Sequence, residues 1–190
     1  MNVVILAGGK SSRMGSNKAF LKVKGKTFIE HQIALLREIF NEITISANTP
    51  AEYKHLNVPV IPDIYPDKGP LGGIHAALIS SKSFHTFMLA CDMPFVDIDL
   101  IKHLKSFISG HDVVVPQSKK GLEPLHAFYS KNCIAPIKKE LDNNNLRIVS
   151  FFPQVKVKTV KLNNLPSSDK IKNSIKNLNT TEEYKDAKKK

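Results

Sequence analysis

Apolar and polar positions fall into two alternating kinds of block along this chain. Short, continuous apolar runs bounded by turn residues predict buried strands. They are NVVILA (2–7), EITISAN (42–48), VPVIPD (58–63, closed by Pro62 and Asp63), HTFMLACDMP (85–94, stopped by Pro94) and HDVVVPQ (111–117). LEPLHAFYS (122–130) alternates and predicts a further strand, as does VKVKTVKL (155–162), with one face wet. Between them, TFIEHQIALLREIF (27–40) puts apolar residues at 28, 29, 33, 35, 36, 39 and 40, the spacing of an amphipathic helix. PLGGIHAALISS (70–81) reads as a loop running into a helix, and DIDLIKHLKSFISG (97–110) as a helix ended by Gly110. KNCIAPIKKELDNN (131–144) is helical with a proline in its path, and LRIVSFFPQ (146–154) fits neither period. Residues 163–173 read as a polar surface segment, and NTTEEYKDAKKK (179–190) as a last helix opened by Thr-x-x-Glu capping chemistry. Strands alternating with helices predict a three-layer α/β fold around a mostly parallel sheet.

A length of 190 residues suits one domain, and 42% hydrophobic with 24% charged residues is ordinary for a chain with a sizeable core. The net charge of +11 is unevenly placed. Residues 1–29 hold five Lys, one Arg and no acid, and residues 154–190 hold ten Lys against four acids. The segment 30–153, with 12 basic and 13 acidic residues, is nearly neutral. Aromatics are 7% and Trp is absent, so no stacking platform accompanies the charge and nucleic acid is not the expected partner. The lysines of 185–190 read as a frayed, solvated end. Cys91 and Cys133 have no metal or redox spacing, and Cys91, ending an apolar run, reads as a buried thiol. VVILA is too short for a signal core or a membrane span, so no membrane role and a cytoplasmic location are expected.

The chemistry concentrates in VVILAGGKSSRMGSNKAFL (3–21), where the first strand runs into glycines, Arg13 and Lys18. In open parallel sheets ligands bind beyond the carboxyl ends of the strands. Glycines let backbone N–H groups approach an anion, and Arg and Lys add charge-assisted bonds. The Walker A pattern fails because position 4 is Val, and G-x-G-x-x-G fails because Gly8 and Gly9 are adjacent. Two glycines alone suit a strand-to-helix turn; Arg13, Gly15 and Lys18 in the same loop point to a phosphate site. Asp92, ending a buried run before Pro94, would aim a carboxylate into the same crevice, where Mg²⁺ takes one or two carboxylates together with phosphates and waters. A turn-forming Asp explains the residue as well.

LAGGKSSRMGSNKAFL resembles the signature L-A-G-G-x-S-x-R-M-G-x-x-K of the molybdenum cofactor guanylyltransferase family, matched by Leu6, Ala7, Gly8, Gly9, Ser11, Arg13, Met14, Gly15 and Lys18. GPLGGIHAAL (69–78), CDMPFV (91–96), EPLHAFY (123–129) and NLNTTEEY (177–184) resemble later segments of that family in the same order. The resemblance implies a Rossmann-like nucleotidyltransferase fold in one domain, 1–190. It implies transfer of GMP from GTP to molybdenum-bound molybdopterin, with release of pyrophosphate. Arg13 and Lys18 would hold the triphosphate, and Leu6, Ala7, Gly8, Gly9 and Asp63 would contact the nucleotide. Asp92 would bind GTP and carry Mg²⁺. Gly72 and Gly73 would let a base or ribose approach; a simple helix start is the competing explanation. Pro124, Leu125, His126, Asn177 and Asn179 would face the acceptor, although His126 on an alternating strand also suits a structural role. Thr181 and Ile175 depart from the family's usual Pro and aromatic there. Related cytidylyltransferases carry Ala-Ala-Gly where this chain has Ala7-Gly8-Gly9, so the missing methyl favours GTP. A CTP-using enzyme, another phosphorylated acceptor, and a module that binds GTP and delivers cofactor remain the alternatives, and molybdoenzyme-maturation proteins are possible partners.

Overall fold

Val3 to Leu6 are buried on both faces because the strand they form, β1 (Asn2–Leu6), has a neighbour on either side and a helical layer above and below. The computed structural model describes residues 1–8, 18–23, 25–165 and 169–178. The elements that follow β1 are β2 (Lys22–Val23), β3 (Lys26–Thr27), α1 (Phe28–Leu36), β4 (Glu42–Ser46), β5 (Val60–Ile61), α2 (Gly69–Ser80) and β6 (His85–Ala90). Then come α3 (Ile98–Lys105), β7 (Val113–Ser118), β8 (Gly121–Leu122), β9 (His126–Ser130), α4 (Ile134–Asp142), β10 (Val157–Lys161) and α5 (Asp169–Ser174). The main sheet has the order β10-β7-β9-β6-β1-β4-β5, with β8 on β7. β4, β5 and β6 run parallel to β1, and β10 runs parallel to β7. β9 is inserted antiparallel between β6 and β7. The sheet is therefore mixed and mostly parallel, as the strand–helix alternation predicts.

Successive residues of a strand point to opposite faces, and the core divides accordingly. Val3, Ile5, Ile45, Phe87 and Leu89 pack with Ile29, Ile33 and Leu36 of α1 and Leu100, Ile101 and Leu104 of α3. Val4, Leu6, Met88, Val113 and Val115 pack with Leu71, Ile74 and Leu78 of α2 and Ile137 and Leu141 of α4. Both faces of the central strands are covered, which is why their sequences read as unbroken apolar runs. No described helix is long and apolar enough to cross a membrane.

Local chemistry fixes the helix ends. Thr27 caps α1: the Glu30 N–H donates to Thr27 Oγ1 at 3.3 Å, and the Thr27 N–H donates to Glu30 Oε2 at 2.7 Å. Asp97 caps α3 by accepting from the Leu100 N–H at 2.8 Å.

Four expectations change. α1 stops at Leu36 rather than Phe40, because the N–H groups of Glu38 and Ile39 turn back to carbonyls three residues earlier. β9 is buried at every position instead of alternating, because both its faces are covered: Phe128 enters the core under α1 and α3, and Ala127 and Tyr129 the core under α2 and α4. The ambiguous 146–154 stretch holds a 3₁₀ segment, Ile148–Gln154. The stretch read as polar surface contains α5, whose Ser174 is buried and accepts from the Asp97 N–H at 3.0 Å. The expected last helix, 179–190, lies outside the described residues.

Asp112 staples the half of the sheet far from β1. It accepts from Ser130 Oγ at 2.9 Å, Asn132 Nδ2 at 2.7 Å and the Lys156 N–H at 3.0 Å, joining β7, β9 and the approach to β10. Burial pushes its carboxyl up, but the bonds from Lys156, Asn132 and Ser130 outweigh that and hold it below its ordinary value. A lowered native value means stability present above the unfolded value and lost as pH falls through the native one. Asp112→Ala should cost about 1–2 kcal/mol at neutral pH in urea unfolding, towards the low end of charged hydrogen bonds because water reaches the carboxylate. The gap between the two proteins should narrow as pH falls below the ordinary carboxylate range and through the lowered native value.

Candidate active site

The carboxyl ends of three parallel strands meet at one edge of the sheet. Leu6 stands level with Ser46 of β4 and Ala90 of β6. Beyond the ladder the Ala7 N–H donates to the Ser46 carbonyl at 2.9 Å, and the Cys91 N–H to the Leu6 carbonyl at 3.1 Å. The Ala90 N–H donates to the Leu125 carbonyl at 2.9 Å, which brings the start of β9 to the same edge. Leu6, Ala7 and Gly8, the first part of the glycine loop, thus sit between the ends of β4 and β6. Gly9, Arg13 and Asn179 lie outside the described residues.

On the β6 side, Lys18 Nζ stands 3.6 Å from Asp92 Oδ2, with about 18% of one side chain and 20% of the other exposed. Burial pushes the Asp92 carboxyl above its ordinary range, and the attraction of Lys18 only partly offsets that. Among the described residues one lysine faces this carboxylate, and it does not bring the carboxyl back to its ordinary range. The neighbouring Cys91 thiol is pushed up to about 12, first by burial and then by Asp92. Among the described residues no group of three His, Cys, Asp or Glu gathers to hold a metal. The donor set is thus one desolvated carboxylate, which fits a hard cation that takes its remaining ligands from phosphate oxygens and water.

On the β4 side, Asp63 is locked to Asn48 both ways: Asn48 Nδ2 donates to Asp63 Oδ2 at 3.0 Å, and the Asp63 N–H donates to Asn48 Oδ1 at 2.9 Å. A methyl group built on Gly8 would lie 3.8 Å from the Ser46 carbonyl and 4.0 Å from Asp63 Oδ2, ordinary contact distances. Among the described residues, nothing crowds a methyl group at Gly8.

Gly72 and Gly73 are different. Both are buried in the first turns of α2, and their α-carbons face protein. A Cβ at Gly72 would meet the Tyr65 carbonyl at 3.0 Å, and one at Gly73 would meet Leu6 Cδ2 at 3.2 Å and Ser46 Oγ at 3.3 Å. Close packing of α2 on the segment before it at Gly72, and on the ends of β1 and β4 at Gly73, itself requires glycine at both positions.

Residues 3–155 match the family model of the MobA-like NTP transferase domain. The chain belongs to that family. It is 41% identical, over 97% of its length and 94% of the relative's, to a Clostridium perfringens protein named "Probable molybdenum cofactor guanylyltransferase". It is 37% identical, over 97% of its length and 92% of the relative's, to the molybdenum cofactor guanylyltransferase of Desulfosudis oleivorans. Its fold is similar to the crystal structure of molybdopterin-guanine dinucleotide biosynthesis protein A from Archaeoglobus fulgidus, with TM-score 0.85 and 26% identity, covering 100% of this chain and 97% of that one.

The expected acceptor residues of this MobA-like chain divide. Pro124 and Leu125 are half-buried beside the end of β6, and the Pro124 carbonyl accepts from Tyr129 Oη at 2.7 Å. His126 does not face the site. It is fully buried, its ring lies edge-on to Phe87 at 5.1 Å, and neither ring nitrogen has a partner among the described residues. Its position opposite Leu89 on β6 turns it into the sheet's core. Asn177 is half-buried, and the next residue, Leu178, donates its N–H to the Asp92 carbonyl at 2.9 Å. The C-terminal segment therefore reaches the Asp92 turn.

Two residues beside the site escape a reading of apolar periodicity. Gln32 lies on the buried stripe of α1, and Asn48 follows β4. A polar side chain on an apolar helix face was the available signal for Gln32, because such a group must find partners. Asn48 gave none.

Burial holds the His126 imidazole down to about 3. The unfolded chain therefore takes up a proton near pH 6.5 that the native one refuses, and stability falls as pH drops from there towards the native value. His126→Phe should remove a slope of about 1.4 kcal/mol per pH unit between roughly pH 6 and 4, measured by denaturant unfolding at several pH values.

Proposed function

We propose that this chain transfers GMP from GTP to molybdenum-bound molybdopterin, forming molybdopterin guanine dinucleotide and pyrophosphate. The observation that carries the reading is the pairing of Lys18 with a desolvated Asp92 at the end of β6, a carboxylate suited to a hard cation with a lysine beside it for phosphates. The shared name of relatives along nearly the whole chain supports GTP as donor and molybdopterin as acceptor.

An oxygen of the acceptor's terminal phosphate attacks the α-phosphorus of GTP. The bond from that phosphorus to the oxygen bridging the β-phosphate breaks, and pyrophosphate leaves with the electron pair. Both reactants are anions, so positioning and neutralisation are the protein's main tasks. Lys18, with Arg13 of the glycine loop, holds the triphosphate, and the backbone N–H groups of Gly8 and Gly9 lie alongside it. Asp92 holds Mg²⁺ together with the triphosphate, and the ion supplies positive charge where negative charge develops. Asp63, fixed by Asn48, meets the nucleoside beside Ala7 and Gly8. Pro124, Leu125, Asn177 and Asn179 form the acceptor side. We read 1–190 as one cytoplasmic nucleotidyltransferase domain. Ile171 and Ile175 at the far end of the chain pack against the same core as β1, in support of that.

Pyrophosphate release should require GTP, Mg²⁺ and molybdenum-loaded molybdopterin together, and Asp92→Asn should lower the rate roughly a hundredfold or more. Release from CTP instead of GTP would overturn the nucleotide assignment, and silence with every nucleotide would overturn the reaction. Gly8→Ala, which the described neighbours accommodate, should leave the melting temperature within about 2 °C while lowering kcat/KM for GTP about tenfold, because the added methyl meets the nucleotide.

A further inference from the structure

We propose that Gln32 is the positioning residue for Asp92: its buried amide ties together the two carbonyls that bracket the Cys91–Asp92 step and so sets where the Asp92 carboxylate stands. This rests on the assignment of Asp92 as the metal-holding carboxylate.

Gln32 is fully buried on the face of α1 otherwise made of Phe28, Ile29, Ile33 and Leu36. Gln32 Oε1 has no hydrogen-bond partner among the described residues, so the amide carries a cost that a leucine filling the same space would avoid. Both amide protons are used: Gln32 Nε2 donates to the Ala90 carbonyl at 2.8 Å and to the Met93 carbonyl at 2.9 Å. Residues 90–93 form a turn closed by the Met93 N–H on the Ala90 carbonyl at 3.2 Å, with Asp92 as its third residue. Gln32 therefore grips both ends of the turn that carries the carboxylate. From another element, the Leu178 N–H takes the Asp92 carbonyl itself. Three carbonyls of one four-residue turn are held from outside it, which leaves Asp92 little freedom beyond its own side-chain torsions.

The same helix fixes the partner of Asp92. The Phe28 N–H donates to the Leu21 carbonyl at 2.9 Å, and the Leu21 N–H to the Lys18 carbonyl at 3.1 Å. α1 is thus the common frame for Lys18 and for the Asp92 turn, and Gln32 is its link to the second. A core residue that only filled space would need no donor at this point.

The test compares the full chain with Gln32→Met, of similar length and no donor, and with Gln32→Leu. Binding of Mn²⁺ in the presence of GTP is read from the free-ion resonance signal. The concentration giving half-saturation should rise roughly 10- to 100-fold, as for lost supporting bonds at other metal sites, and half-saturating Mg²⁺ in turnover should shift more than kcat. In an Asp92→Asn background the same substitutions should change half-saturation by less than about twofold, because both act through one carboxylate. Ile33→Val, in the same core, should lower stability and leave Mn²⁺ binding unchanged. Folded Gln32 variants that bind Mn²⁺ like the unsubstituted chain, while Asp92→Asn does not, would overturn the role of Gln32 alone. An Asp92→Asn protein with unaltered Mn²⁺ binding would overturn the assignment of Asp92 and this role with it. Should neither Gln32 variant fold, the side-chain amide resonances of Gln32 in the unsubstituted chain decide: they should shift when Mg²⁺ and GTP are added, and fixed resonances would overturn the proposal.

Discussion

β1 is hydrogen-bonded in parallel to β4 on one edge and to β6 on the other, in a register that brings Leu6, Ser46 and Ala90 level. The site depends on that double pairing. Parallel strands end at the same side of the sheet, so three chain segments far apart in sequence must leave the core together. β9, antiparallel and next to β6, starts at this side rather than ending there, which adds the 123–125 turn to the same rim. A slip of one residue in β1 would exchange its two buried faces and move Ala7 and Gly8 away from Ser46 and Asp63.

The rim combines two demands that a folded chain resists. It keeps a carboxylate in a place that favours the neutral acid, and it keeps the Lys18 ammonium largely shielded from water beside it. Each eases the other where Lys18 meets Asp92, and the dryness that makes Asp92 costly also strengthens any charge interaction made there. The Cys91 thiol reports the same dryness from the adjacent position: at about 12 it stays protonated and inert at neutral pH.

Much of this was legible from residue patterns, because β1, β6 and β7 are apolar on both faces and only a doubly covered sheet produces such runs. Asp92 was legible for the same reason, as a charge placed where a buried strand stops. The packing role of the α2 glycines was not legible, because a glycine looks alike in sequence whether a ligand or a neighbouring segment approaches it; the distances to Tyr65, Leu6 and Ser46 show the protein neighbours. His126 was misplaced because its strand alternates in sequence while both its faces are covered in space. Gln32 went unread because periodicity counts apolar positions and passes over the polar one among them.

The bond from Leu178 to the Asp92 carbonyl has a consequence for how the protein is made. The sheet strands that carry the rim, β1, β4, β6 and β9, are all complete by Ser130, so a chain growing from the ribosome can pair them early. Leu178 and Ser174 belong to the opposite end of the sequence, and the segment that fastens the Asp92 turn and its capping Asp97 arrives only after α4 and β10 have been made. The scaffold thus precedes its own latch. A nascent chain stalled before α5 would lack the bond that fastens the Asp92 turn, so the strands of the rim are made before the segment that holds this turn.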